Sequence, residues 1–230
     1  MSVPYCEMDC FTTTQAFWER VVAARDEVIV FRDVCRDDYN ALLKDRGANC
    51  RIRFRRYDAE NQILVVVVGR EVYEKLGHLS LEIIRVVRDM GVWNCWHYIE
   101  VPQGEPDTAM GPDYQDRPTL IIEAGTSLAA LRSDMEWWFA NDQTEIGVLV
   151  RLDSHAQTIL LEKWEGDTRD TITIHEKMEG EEKEYVASGD LHFAFDTLFR
   201  RRPNPLEGDI VVPAERLERW AARVFNEMRQ

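Results

Sequence analysis

The chain has 230 residues, 45% of them hydrophobic, and carries 42 acidic against 28 basic side chains for a net charge of −14. That length and apolar share suit one domain, or one domain with a C-terminal elaboration, built on a sizeable core. The acidic balance counts against a general nucleic-acid binder, whose affinity rests on neutralising phosphates.

No apolar run approaches a membrane span, and the opening MSVPYCEMDC lacks the basic and apolar regions of a signal peptide. The expectation is an intracellular protein, cytoplasmic or nuclear, with no membrane partner. Five cysteines are scattered without a C-x-x-C pair, which points to reduced thiols rather than a zinc site.

Residues 1–12 read as a loosely packed tail. Thr14 is a candidate cap for a helix through about Asp26 with Phe17, Val21 and Val22 inward, and Val28–Phe31 reads as a short strand. Asp37 or Asp38 leads a second helix (Tyr39, Leu42, Leu43) that stops at Gly47. A hairpin follows. Arg51, Arg53 and Arg55 alternate with Ile52 and Phe54, so the arginines read as a solvated face; Asp58–Asn61 turns, and 62–68 returns as a strand buried on both faces.

Residues 70–90 carry the clearest helical stripe (Val72, Leu76, Leu79, Ile83, Val86, Val87), interrupted at Gly77 and ended by Gly91. Residues 92–99 read as an aromatic strand and 101–111 as a loop. After a strand ending at Glu123, Ser127 caps a helix to about Asn141. Strands are predicted at 145–152, 158–164, 170–175 and 184–188, and 191–199 runs into a Pro-rich connector. Pro213 opens a final amphipathic helix through about Met228.

The chemistry concentrates between Met110 and Trp138. Pro112-Asp113 precedes a turn, a buried strand (Leu120, Ile121, Ile122) ends on Glu123, and Gly125-Thr126-Ser127 starts the helix. A tight fold-back of 112–117 on 118–124 would bring Asp113 toward Glu123, and two convergent carboxylates suit an oxygen-loving divalent cation. A second dipeptide, Pro106-Asp107, competes for the same role; the shorter spacer favours Asp113.

Pro112-Asp113 followed by Glu123-Ala124-Gly125 and a helix resembles the PD-(D/E)XK, or restriction-endonuclease-like, superfamily, with Gly125 in the place of the motif lysine. The run Pro118 to Gly125, then Leu131, Asp134, Trp137 and Trp138, is similar to a branch of small fungal proteins related to a bacterial family of endonuclease-like proteins.

The resemblance implies an α/β fold: a mixed central sheet flanked by helices over 37–165, a helical segment at 1–36, and a β extension with a packing helix at 166–230. It also implies Mg²⁺ or Mn²⁺ held by Asp113, Glu123 and the Ala124 carbonyl, with Glu82 or Glu74 as an assisting acid on the preceding helix near His78. Arg132 or Lys163 is the cation on offer in place of the lysine, although arginine stays protonated and makes a poor base. Asp134 is expected to pair with an arginine or to cap.

Three functions follow. One is a metal-dependent nuclease or phosphodiesterase. Another is a degenerate nuclease fold that binds a protein, a nucleic acid or a small molecule without cutting. The last is a fold repurposed for small-molecule chemistry, with a pocket lined by Trp93, Trp96 and Trp137. Dimers are common among restriction-like nucleases, so a homodimer is a further expectation.

Overall fold

The computed structural model describes residues 8–24, 27–46, 52–68, 78–92, 96–101, 104–112, 117–141, 144–177 and 185–228. Among them it is a mixed α/β protein with six helices, a four-stranded sheet, a seven-stranded sheet and a two-stranded ribbon. The chain divides into two compact units, Met1–Glu71 with Val101–Pro106, and Val72–Glu100 with Asp107–Gln230. No described helix is long and apolar enough to cross a membrane.

The first unit holds β1 (Met8–Cys10), α1 (Thr14–Ala23), β2 (Glu27–Arg32), α2 (Arg36–Arg46), β3 (Ile52–Asp58) and β4 (Ile63–Val68). Its sheet runs β1-β2-β4-β3, with β1 parallel to β2 and the other pairs antiparallel. Residues 8–10, read as part of a loose tail, therefore form an edge strand. Thr13 rather than Thr14 caps α1, accepting from the Ala16 N–H at 3.1 Å.

The core of this unit joins Phe17 and Val21 of α1 and Tyr39 and Leu42 of α2 to Phe54, Tyr57, Leu64 and Val66 of the hairpin. Shared burial thus ties the hairpin to the N-terminal helices. The arginine face predicted for β3 is altered by a shift in register between Phe54 and Arg56. A bulge breaks the two-residue alternation, and Arg55 and Arg56 are only 4% and 6% exposed.

The second unit contains α3 (Leu79–Asp89), β5 (Trp96–Tyr98), β6 (Thr108–Pro112), β7 (Leu120–Gly125), α4 (Leu128–Ala140), β8 (Ile146–Asp153), β9 (Thr158–Glu165), β10 (Thr168–Glu176) and β11 (Tyr185–Ala187). Then come β12 (Leu191–Phe193), α5 (Phe195–Phe199), β13 (Ile210–Val212) and α6 (Ala214–Met228). The large sheet runs β11-β10-β9-β8-β7-β6-β5, and only β7 and β8 pair in parallel. A parallel pair needs a crossover connection, and α4 supplies it. After residue 165, β10 and β11 continue this sheet, while β12 and β13 pair in the two-stranded ribbon.

The two faces of the sheet differ in chemistry. One face carries Leu120, Ile122 and Ala124 of β7, Ile146, Val148 and Val150 of β8, and Ile159 and Leu161 of β9. Against it pack Leu79, Ile83 and Val87 of α3 and Leu217, Trp220, Val224 and Phe225 of α6. Each such large apolar side chain contributes about 1.5–3 kcal/mol by leaving water. The opposite face, under α4, mixes apolar residues with buried carboxylates. Gly91, in the left-handed region at φ 79°, follows α3 as the sequence predicts.

Candidate functional site

β7 is buried along its whole length, yet it contains one carboxylate. Alternation sends Leu120, Ile122 and Ala124 to the apolar core and turns Glu123 to the other side. There Glu123 is 0% exposed and accepts a hydrogen bond from Trp138 Nε1 of α4 at 2.8 Å. Ser127 starts that helix as predicted, its hydroxyl accepting from the Ala130 N–H at 3.4 Å.

Asp107 stands at the head of the arm that pairs with β7. β6 runs antiparallel to β7 with Thr108 opposite Ile122, so the register carried one residue further sets Asp107 beside Glu123. Asp107 Oδ2 accepts from the Ala124 backbone N–H at 2.7 Å. The segment read as a loop to residue 111 is thus a strand from Thr108, and the dipeptide at the open end of the hairpin is Pro106-Asp107. Asp113 lies outside the described residues; β6 ends at Pro112, which pairs with Trp96 rather than with β7. The expected fold-back of 112–117 on 118–124 falls largely on residues outside the described ones; the described arm paired with β7 is Thr108–Pro112.

Glu123 is one end of a row across the sheet. It stands opposite Leu149 of β8, which stands opposite Glu162 of β9, so the two glutamates face the same helix about 10 Å apart. Arg132 of α4 donates to Glu162 through Nε at 3.1 Å and through Nη2 at 2.6 Å, and Trp164 Nε1 adds a bond of 2.7 Å. Burial pushes the Glu162 carboxyl up, but the bonds from Arg132 and Trp164 outweigh it and hold the group below its ordinary value. Between these anchors Met135 packs on Gly147 of β8, where an added Cβ would sit 2.1 Å from the sulfur. Arg132, Met135 and Trp138 thus fasten α4 to β9, β8 and β7 in turn.

The remaining nominated residues fall elsewhere. Glu82 is buried on α3, among the helices of the apolar face, and pairs with Arg85 at 2.5 Å and with Arg223 of α6. The sheet therefore separates it from Glu123. Lys163 shares the Leu161 face, also away from Glu123. Its three ammonium protons match Glu165 Oε2 at 3.2 Å, Asp170 Oδ2 at 3.2 Å and the His192 carbonyl at 3.0 Å.

His78 is the exposed N-cap residue of α3 and makes no side-chain capping bond. Asp134 is wholly buried on α4. Trp137 and Trp138 are both buried, edge-to-face at 4.6 Å between centroids. Trp93 and Glu74 lie outside the described residues.

The sequence left Glu123 without the Trp138 partner and Glu162 without the Arg132 partner that the structure gives them. The available signal was a charged residue inside a largely apolar strand, at Glu123 in LIIEAG and at Glu162, beside Lys163, in TILLEKW. Each such residue must find a partner when buried.

The donors at Asp107 and Glu123 are hard oxygens. Two carboxylates are what Mg²⁺ ordinarily takes from a protein, keeping water or phosphate for its other positions. Among the described residues no group of three His, Cys, Asp or Glu gathers, so a cation here would depend on these two acids, with the Ala124 carbonyl as a third oxygen. In donor chemistry the site fits magnesium or manganese. Asp107, half-buried, is its more open side. Compared with known protein families and with curated proteins, the chain matches none.

Proposed function

We propose that this is a restriction-endonuclease-like protein with a divalent-cation site on Asp107 and Glu123, acting as a metal-dependent nuclease or phosphodiesterase. One observation carries the reading. The β6–β7 register sets a Pro-Asp dipeptide beside the glutamate of Glu123-Ala124-Gly125, and a helix follows directly. That is the order of parts in the motif that the sequence resembles, with Pro106-Asp107 taking the place first given to Pro112-Asp113.

When bound, Mg²⁺ or Mn²⁺ would supply an acidified water and charge stabilisation at a phosphate. The chain's own part is to hold Glu123 on β7 and Asp107 just ahead of the neighbouring β6. Asp107 is tied to the β7 backbone at Ala124, and Glu123 is enclosed under α4.

A second reading, a degenerate fold that binds without cutting, is favoured by the cations. Gly125 occupies the lysine place and is buried, Arg132 is engaged by Glu162, and Lys163 is engaged on the other face of the sheet. The net charge of −14 adds to it, because phosphate contacts carry most nucleic-acid affinity.

Calorimetric titration of Mn²⁺ and Mg²⁺ into wild type and the Asp107→Asn/Glu123→Gln double variant separates the two, followed by cleavage assays on single- and double-stranded substrates. Saturable binding that the double variant loses, with cleavage, supports the nuclease. Binding without cleavage supports the degenerate reading. No binding by the wild type overturns the cation site.

A further inference from the structure

We propose that Trp138 is a positioning residue for Glu123: its indole N–H sets the orientation of the carboxylate and thereby the affinity for a divalent cation. This rests on the cation reading above. Glu123 is 0% exposed, so its orientation is set by protein partners rather than by bulk water. Trp138 Nε1 donates to one of its oxygens at 2.8 Å. A buried carboxylate held in this way keeps one rotamer, and such outer hydrogen bonds tune the ligand they hold.

The indole is itself immobilised. Trp138 is fully buried and edge-to-face with Trp137. α4 is fastened on either side of the middle of its length by Arg132 on Glu162 and by Met135 on Gly147. The donor therefore cannot follow the carboxylate if Glu123 turns. Asp107 accepts a hydrogen bond from the β7 backbone at Ala124.

The test is Mn²⁺ calorimetry on wild type, Trp138→Phe and Trp137→Phe, with Mg²⁺ titrated into protein labelled with ¹⁵N-tryptophan. Phe keeps most of the ring and removes the donor. The expected result is Mn²⁺ affinity weakened about tenfold or more by Trp138→Phe, the usual scale for losing a bond behind a metal ligand, and changed less than twofold by Trp137→Phe. In the wild type the Trp138 indole resonance shifts saturably with Mg²⁺, at the midpoint that calorimetry gives. That signal needs no variant, so the inference stays open to refutation even if Trp138→Phe fails to fold.

Wild-type affinity in Trp138→Phe, equal losses in both variants, or an indole resonance that metal does not move would overturn the inference while leaving the cation site standing. A wild type that binds no metal removes both together.

Discussion

Arg132 and Glu162 form a two-pronged ion pair, with Nη2 to Oε2 at 2.6 Å and Nε to Oε1 at 3.1 Å, joining the first turns of α4 to the middle of β9. The carboxylate is buried and the guanidinium about half exposed. An arginine that the motif order offers as a phosphate-stabilising cation is therefore the helix's anchor.

Removing that anchor should cost stability. Arg132→Ala leaves Glu162 buried with the Trp164 bond and without its ion partner, and a charge-assisted bond of this kind contributes about 1.5–3 kcal/mol. Urea unfolding should show a loss of about 2 kcal/mol at pH 7. Because Glu162 is held below its ordinary carboxyl value, the pair contributes above that value and is lost as pH falls through the depressed one. The gap between wild type and variant should accordingly narrow in acid. A constant gap from pH 7 to 3 would show that the ionised carboxylate is not the source.

Gly147 is expected to tolerate no side chain at wild-type stability. An added Cβ would lie 2.1 Å from Met135 Sδ, in the layer between α4 and β8, and overpacking of this kind costs about 1–3 kcal/mol. Gly147→Ala should lower the denaturation midpoint, and the pair Gly147→Ala/Met135→Ala should be less damaged than the sum of the two single changes, because they share one space. Strict additivity in a double-mutant cycle would contradict the contact.

Asp107 and Asp113 can be told apart directly. Asp107→Asn should weaken Mn²⁺ binding by about tenfold or more, a loss at least as large as for groups behind a metal ligand. Asp113→Asn should leave it within twofold. The reverse order in calorimetry would return the role to the dipeptide at 112–113.

Glu207 supplies a pH-dependent tie in the connector before β13. Arg201 donates to it through both terminal nitrogens, at 2.6 and 2.8 Å, and the Asn204 N–H at 2.7 Å. The Arg201 bonds first, then the Asn204 bond, pull its carboxyl down to about 2. A depressed carboxyl stabilises the fold above the ordinary glutamate range and loses that contribution as pH falls toward 2. Thermal unfolding of Glu207→Gln should lie below wild type at pH 6, and the two curves should converge as pH approaches 2.

Several elements were legible from local chemistry alone. Ser127 as the cap of α4, Gly91 at the end of α3, the amphipathic α6 and the strands 146–153, 158–165 and 168–176 each follow from a pattern within a dozen residues. The mixed α/β class follows from their order. Glu123 also stands out unaided, as an acid in a strand otherwise apolar.

What the sequence could not decide was which residues meet across strands. A hairpin's register depends on where both arms begin. A strand at Thr108–Pro112 rather than a loop aligns Thr108 with Ile122, and so sets Asp107 against the β7 backbone at Ala124. Which face of the sheet a side chain takes also depends on pairing. Lys163 and Glu82 fall on the apolar side and Glu123 and Glu162 under α4, a division no spacing rule carries, because it arises when distant strands align. Composition and local periodicity determined the elements; long-range pairing alone decided which face each buried carboxylate takes and which cations are engaged away from Glu123.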